Sequence, residues 1–222
     1  GLQGLGSGSP CEEVTGEAAD ATEAALGEMS RGFLIGQDPR CLGTLCRRLR
    51  PELQSTPAAH AALDMALHDL FCQVVEVPLV DFLGRSHDAL PTSITIGIKS
   101  IEESLEEADE YLSRGFRSLK VTIGRTVEEE IELLHRLRER VGAEIQIRVD
   151  ANQGYDLADT TRLWQEQESL RLELIEQPLP AGSLRDLKSL EQNLRRFVAA
   201  DESLHDPSDA ARLAASPATC GL

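Results

Sequence analysis

The chain contains 222 residues, of which 41% are hydrophobic, 27% charged and only 4% aromatic, a composition that excludes a disordered or collagen-like protein. Its 38 acidic residues against 22 basic ones leave a formal net charge of −16, which opposes binding to nucleic acid or to anionic membranes. No apolar run approaches the roughly 20 residues that a membrane-spanning helix requires. We therefore expect neither a nucleic-acid partner nor a membrane location.

Residues 1–90 are predicted to be mainly helical. Helical patterns run from residue 17 to about 34, from 38 to about 49 and from 57 to about 75. Asp38 is placed to cap the second helix, with Pro39 in its first turn. Residues 1–16 are rich in glycine and indicate a loop or an incomplete strand. We interpret residues 1–90 as a partial N-terminal capping domain of the α+β type.

Residues 91–222 follow a regular pattern of strand and helix. Five β-type runs are predicted at Ser93–Ile98, Ser118–Ile123, Glu144–Val149, Leu172–Ile175 and Phe197–Ala200. Helical stretches follow them at Ile101–Ser113, Val127–Arg140, Leu157–Glu168, Leu184–Leu194 and Pro207–Ala215. The last apolar positions of successive strands lie 25, 26, 26 and 25 residues apart. Such a constant period favours a (β/α) TIM-type barrel over a doubly wound sheet.

The number of repeats predicts only part of such a barrel. A complete barrel has eight strands, and about five βα units are present here. The chain begins with Gly1 rather than Met, and residues 218–222 resemble the start of another apolar segment. We expect a chain truncated at both ends, in which the open edges of a five-stranded arc favour aggregation.

Three acidic residues follow three successive predicted strands in phase with the repeat: Asp150, Glu176 and Asp201. The carboxyl ends of barrel strands meet at one face, where three carboxylates repel one another and require a cation. Oxygen ligands without nearby His or Cys suit a hard ion such as Mg²⁺. The alternative is that each acid is an ordinary helix cap or loop residue. The common phase of the three acids favours the metal site.

The second predicted strand carries Lys120, one of only three lysines in a chain with 19 arginines. Lys120 and Thr122 lie two residues apart and therefore point to the same face of the sheet. On the barrel interior, burial and a neighbouring metal ion are expected to lower the pKa of Lys120. The alternative is a lysine whose ammonium extends into solvent from the strand end. Thr95, on the first strand, indicates only a structural role by itself.

The five cysteines are scattered, odd in number and without a C-x-x-C pair. This pattern predicts neither a disulfide framework nor a zinc site built from thiolates. Reduced thiols are typical of a cytoplasmic protein, which is the location we expect.

Seven segments together resemble the enolase superfamily, in its muconate-lactonizing subgroup, and most closely the dipeptide epimerases of the L-Ala-D/L-Glu type. Four of them are V-T-G-E at Val14–Glu17, A-A-L-D-M-A-L-H-D-L at Ala61–Leu70, P-L-V-D-F-L-G at Pro78–Gly84 and T-I-G-I at Thr95–Ile98. The specific ones are D-A-N-Q-G-Y from Asp150, L-I-E-Q-P around Glu176 and A-D-E-S around Asp201. V-T-G-E alone would be weak evidence for this family.

The resemblance implies a Mg²⁺-dependent isomerase, a racemase or epimerase that abstracts the proton α to a carboxylate through an enediolate. Its substrate would be a small molecule with a carboxylate, a dipeptide or an N-acylated amino acid. Asp150, Glu176 and Asp201 match the Mg²⁺ ligands, and Thr95 and Lys120 match positions that touch substrate. Two further residues would support Asp150 from the inward face: Arg148 and Asn152. Related barrels often form homo-oligomers, and the oligomeric state here stays open.

The chain departs from the family pattern at the catalytic base. The family has Lys-x-Lys at the end of the second strand, and its second Lys is the base, whereas this chain has Thr122 there. A hydroxyl of ordinary pKa cannot take that role. The opposing lysine belongs on a sixth strand, beyond Leu222. We therefore expect a fragment with impaired or no activity. The alternatives are a catalytically silent metal-binding relative, or a cycloisomerase or succinylbenzoate synthase of the same superfamily.

Overall fold

The two sequence patterns fold as two separate units in the computed structural model, which describes residues 1–12 and 16–215. The division lies between Ala89 and Leu90. Val14 and Thr15 of the V-T-G-E segment, and Cys220, lie outside the described residues.

The described part of the first unit is helical. Helix α1 spans Ala19–Met29 and continues as a π-helix over Ser30–Leu34, and a 3₁₀ turn at Pro39–Cys41 precedes α2. The remaining helices are α2 at Leu42–Glu52, α3 at Pro57–Val75 and α4 at Leu79–Phe82. As predicted, the Asp38 side chain caps the turn by accepting a hydrogen bond from the Arg40 amide. Helix α4 was not predicted.

Leucines of α2 and α3 form the core of the first unit. Leu45 and Leu49 of α2, and Leu53 directly after it, recur every fourth residue and are almost completely buried, so they form one apolar stripe. They pack in one cluster with Leu63 and Leu67 of α3. This packing holds the two helices against each other.

A buried carboxylate closes the amino end of α3. Glu17 is only 2% exposed, and its Oε2 accepts a hydrogen bond of 2.6 Å from the Ala58 amide. Its Oε1 accepts one from the Ala59 amide at 3.3 Å and one from the Thr22 hydroxyl at 2.6 Å. Free amides at a helix start favour an anion, so Glu17 replaces the cap that Thr56 does not provide.

The described part of the second unit contains a five-stranded parallel sheet in the order β1-β2-β3-β4-β5. The strands span Ile94–Ile96, Ser118–Thr122, Gln146–Asp150, Leu172–Glu176 and Val198–Ala199. Neighbouring strands in space are therefore neighbours in the chain, as in a barrel wall. The predicted α/β class is confirmed, and the five-stranded arc is part of such a barrel.

Helices connect successive strands and cover one face of the sheet. They are α5 at Ile101–Ser113, α6 at Val127–Val141, α7 at Leu157–Trp164, α8 at Gln167–Leu170, α9 at Leu184–Ser189, α10 at Gln192–Arg195 and, after the last strand, α11 at Pro207–Ala214. Two single helices that the sequence predicted, over residues 157–168 and 184–194, are each divided into two. Strand residues such as Ile147, Val149 and Ile175 pack in the core with Leu134 and Leu163 of the helices.

Candidate active site

The register of the parallel strands brings polar side chains together at the carboxyl end of the sheet. Thr122 on β2 pairs with Asp150 on β3, and Asp150 pairs with Glu176 on β4. Two residues before Thr122 on the same strand, Lys120 pairs with Thr95 of β1 on one side and with Arg148 of β3 on the other. Because strand side chains alternate, these residues lie on the face opposite the buried Ile147 and Val149.

Lys120 lies between two of the three predicted metal ligands. Its Nζ is 2.9 Å from Asp150 Oδ2 and 2.8 Å from Glu176 Oε2. A second Glu176 oxygen, Oε1, accepts a hydrogen bond from the same ammonium at 2.9 Å. The Asp150 side chain is 7% exposed and that of Glu176 is 20% exposed. Two carboxylates from neighbouring strands thus converge on one cation at a place with low exposure to solvent.

The pKa of Lys120 shifts in the direction opposite to the one we expected. Burial acts to lower it, but hydrogen bonds to Glu176 and Asp150 outweigh burial and raise the pKa above its ordinary value of 10.5. The expectation considered a neighbouring metal ion and burial, whereas the structure places two anions beside the ammonium. In this arrangement Lys120 is a charged partner of the carboxylates, not a proton acceptor.

Asp201 occupies a different environment from the other two acids. It is exposed, and its backbone amide donates a hydrogen bond of 2.9 Å to Gln177 Oε1. The buried Gln177 also accepts one from the Ser203 amide, at 3.1 Å, and so fixes the loop after β5. Within the described chain, the carboxylates of Asp150, Glu176 and Asp201 do not all lie within 4.8 Å of one another.

The residues proposed to support Asp150 make different contacts. The Asn152 amide donates a hydrogen bond of 3.0 Å to Asp150 Oδ1 and orients that carboxylate directly. Arg148 instead forms a two-point ion pair with Glu173, with distances of 2.7 and 3.0 Å. Among the described residues, no hydrogen bond or ion pair joins the Arg148 side chain to Asp150.

The two threonines of the predicted site lie on the first two strands of the sheet. Thr95 is exposed on β1, and Thr122 is half-buried at the end of β2. Thr122 lines a cavity of about 210 Å³ together with Lys99, Arg125 and Glu129. A small molecule at the strand ends could therefore reach Thr122.

Glu202 is a residue of this region that the sequence analysis missed. It is 5% exposed, its Oε1 accepts a hydrogen bond of 3.5 Å from Asn152 Nδ2, and its buried Oε2 has no hydrogen-bond partner in the described chain. It follows Asp201 directly, and strand β5 has only two residues. Alternation along so short a strand could not show which of the two acids is buried.

Both units match models of one protein family. Residues 103–220 match the enolase C-terminal domain-like model, and residues 1–84 match the N-terminal domain of mandelate racemase / muconate lactonizing enzyme. The chain belongs to the enolase superfamily. The family resemblance predicted from sequence segments is confirmed.

Characterised relatives of this superfamily member are similar along its whole length. It is 51% identical to the L-Lys-D/L-Arg epimerase of Methylococcus capsulatus over all 222 residues. A structure of the dipeptide epimerase from that organism, complexed with Mg and the dipeptide L-Arg-D-Lys, has a TM-score of 0.94 at 52% identity over 100% of this chain. The substrate-liganded L-Ala-D/L-Glu epimerase from Bacillus subtilis has a TM-score of 0.88 at 29% identity over 97% of it.

These comparisons extend over only part of the relatives. The chain spans 62% of the Methylococcus capsulatus epimerase sequence, 62% of its structure and 61% of the Bacillus subtilis structure. In the described part of the chain, the helices are too short or too polar to cross a membrane.

Proposed function

We propose that the protein is a Mg²⁺-dependent dipeptide epimerase scaffold that acts on the proton α to a carboxylate, and that Thr122 restricts or abolishes its activity. The observation that carries the proposal is the convergence of Asp150 and Glu176 on one cation at the ends of neighbouring strands. Membership of the enolase superfamily and similarity to named dipeptide epimerases support it.

The donor set fits a hard divalent cation. The carboxylates of Asp150 and Glu176 share the single positive charge of Lys120, which supports assigning both to one cation. We assign Asp150, Glu176 and Asp201 as the residues that would hold Mg²⁺, with Asp201 turning inward from its exposed position. When bound, the ion would neutralise charge on the substrate carboxylate and on the anion formed from it.

The other residues of the site would act on the substrate or on the ligands. Lys120 and Thr95 lie on the face that the substrate would contact. Asn152 would hold Asp150 through its amide, and Arg148 would support the face through its pair with Glu173. Thr122 occupies the position of the family's base, where a hydroxyl cannot accept the α-proton at neutral pH.

The similarity to L-Lys-D/L-Arg epimerases suggests a cationic dipeptide as the substrate. The net charge of −16 supports this choice, because an acidic protein attracts a cationic molecule. A cytoplasmic location and a homo-oligomer belong to the same proposal. Three of the described cysteines, Cys41, Cys46 and Cys72, form no disulfide, which agrees with a reducing compartment.

The test is hydrogen–deuterium exchange at the α-carbon, followed by NMR in D₂O with Mg²⁺. The substrates are L-Arg-L-Lys and L-Ala-L-Glu. With Thr122 we expect no exchange or exchange from one side only. A base at that position contributes roughly 10²- to 10⁴-fold, so Thr122→Lys should raise the exchange rate by at least about 100-fold. Thr92→Lys, which adds a lysine at an exposed position, should leave it unchanged.

Metal binding tests the scaffold apart from the catalytic step. Calorimetry with Mg²⁺ should show binding that Asp150→Asn abolishes, and unchanged binding in that variant would overturn the ligand assignment. Two-sided exchange at ordinary rates with Thr122 would show that another residue is the base. Mg²⁺ binding with no exchange, even in Thr122→Lys, would favour a catalytically silent relative, the second candidate that the substitution at residue 122 supports.

A further inference from the structure

The helical unit contains a group of side chains of the kinds that bind metal ions. This group consists of Cys46 on α2 and of Asp64 and His68 on α3. The Cys46 sulfur, a carboxylate oxygen of Asp64 and a ring nitrogen of His68 all lie within 4.8 Å of one another. Within the described chain this is the one group of three or more His, Cys, Asp or Glu residues that meets this distance limit.

The helix geometry brings the three residues together. Asp64 and His68 are four residues apart on α3 and therefore lie on the same face, with His68 Nδ1 3.3 Å from Asp64 Oδ2. His68 Nδ1 also donates a hydrogen bond of 2.8 Å to the Asp64 carbonyl oxygen, which orients the ring. Packing of Leu45 and Leu49 against α3 sets the distance from α2 to this face.

We propose that Cys46, Asp64 and His68 form a binding site for a divalent transition metal of the Zn²⁺ class, which would link α2 to α3. Zn²⁺ binds sulfur at about 2.3 Å and nitrogen or oxygen at about 2.0–2.2 Å. Two ligand atoms on one ion are therefore at most about 4.5 Å apart. The observed atoms already lie close to that limit, so small rotations of the side chains would bring them to the ion.

The ligand types distinguish this site from the one at the strand ends. A thiolate and an imidazole select Zn²⁺ and similar ions, whereas a set of carboxylates selects Mg²⁺. Half-burial leaves all three side chains open to water on one side, so a water molecule could supply the fourth ligand.

In the absence of a metal ion, the protonated Cys46 thiol forms a hydrogen bond with the Asp64 side chain. Burial, and then the hydrogen bond to Asp64, raise the pKa of the Cys46 thiol to about 11, so it remains protonated and bonded to that carboxylate. Binding of the metal would replace this proton, which would leave to solvent. The spacing of cysteines in the sequence could not reveal the site, because its ligands come from two helices and only one is a cysteine.

The experiment is titration of the full chain with Co²⁺, and then Zn²⁺, in the presence of a phosphine reductant. Co²⁺ should produce the near-ultraviolet absorption of a cobalt–thiolate bond, and Zn²⁺ should remove it by displacing Co²⁺. Loss of residues that only orient ligands costs about 10- to 100-fold in affinity. Cys46→Ser should therefore abolish the thiolate absorption and weaken Zn²⁺ binding by at least about 100-fold.

Matched variants make the outcome unambiguous. Cys41→Ser, which removes an exposed cysteine close to Cys46 in the chain, should keep the absorption and the affinity, as should Asp150→Asn at the other site. His68→Gln should weaken Zn²⁺ binding while retaining the thiolate absorption, and circular dichroism should show that each variant is folded. Absence of thiolate absorption in the unmodified chain, its persistence in Cys46→Ser, or an equal loss in Cys41→Ser would overturn the proposal.

Discussion

At the scale of single residues, Lys120 is the side chain on which the candidate active site depends. Its ammonium is shared by Asp150 and Glu176 at 2.8 to 2.9 Å, so it lies where the proposed function assigns a metal ion. Lys120→Met keeps the length of the side chain and removes the charge. We expect Mg²⁺ to bind about tenfold more tightly in this variant, which corresponds to 1.4 kcal/mol, because the ion no longer competes with the ammonium.

The same substitution leaves two carboxylates facing each other without a cation. The midpoint of thermal unfolding in the absence of Mg²⁺ should therefore fall, and added Mg²⁺ should restore it. Lys188→Met, at an exposed position on α9, is the control and should change neither quantity. Weaker Mg²⁺ binding in Lys120→Met would mean that the lysine assists the metal rather than competing with it.

The sequence could predict which acids lie at strand ends, but not how their side chains are used. Asp150 and Glu176 follow from the repeat, because a period of 25 or 26 residues returns the chain to the same edge of the sheet. The exposed position of Asp201 and the burial of Glu202 depend on the loop that Gln177 holds, which the repeat does not describe. The direction of the Lys120 pKa shift likewise requires the distances to both carboxylates.

At the scale of elements, α5 shows how a local pattern sets a helix boundary. The Ser100 hydroxyl oxygen accepts a hydrogen bond from the Glu103 amide, and the Glu103 carboxylate accepts one from the Ser100 amide. The helix begins at Ile101, as predicted. Ser100→Ala should lower the free energy of unfolding by about 1 kcal/mol, whereas Ser100→Gly should cost only a few tenths.

Urea denaturation can measure this difference through the single tryptophan. Trp164 lies in the same unit as α5 and packs against Phe197 in a tilted arrangement, at 4.9 Å between ring centres, so its fluorescence reports unfolding of the sheet unit. Because both variants lack the hydroxyl, unchanged stability in both would show that the hydroxyl does not act as a cap.

The sequence predicted which segments are helical better than it predicted where a helix is interrupted. The predicted helix over residues 184–194 divides because Leu190 is extended and only 4% exposed. Burial of Leu190 in the core outweighs its preference for the helical conformation. The periodicity of the sequence alone could not predict which of these two effects is larger. Helix α4 was missed because four residues are too few to show a helical period. Helices α3 and α5, with long apolar patterns and clear amino-terminal boundaries, match their predicted bounds.

At the scale of the whole molecule, most of the fold prediction followed from the constant length of the strand–helix repeat. Parallel strands in sequential order follow from equal βα units, because short connections do not allow a strand to be skipped. The helical unit has no repeat, so its buried Glu17 cap could only be seen once α1 and α3 were placed. The pairing of Cys46 with α3 also depends on packing between helices, which local sequence does not specify.

The segment that joins the two units in the sequence is expected to be the first site of proteolysis in the intact chain. Residues 84–92 contain no helix or strand and are exposed, which is typical of a site of proteolysis. Arg85 is the trypsin target within them, and its ion pair with Asp81 at 2.7 Å is itself exposed. Limited trypsin digestion should therefore cut first after Arg85 and give fragments of residues 1–85 and 86–222, which mass spectrometry would identify.

Variants at two arginines distinguish this cut from general unfolding. Arg85→Gln should slow the first cleavage by roughly tenfold, because the remaining sites lie in or beside packed elements that must open before a protease can bind them. Arg125→Gln, in the exposed turn before α6, should leave the first cleavage unchanged. A first cut within the sheet unit would show that its strands open more readily than the connecting segment, as expected for a parallel sheet whose edge strands β1 and β5 have only three and two residues.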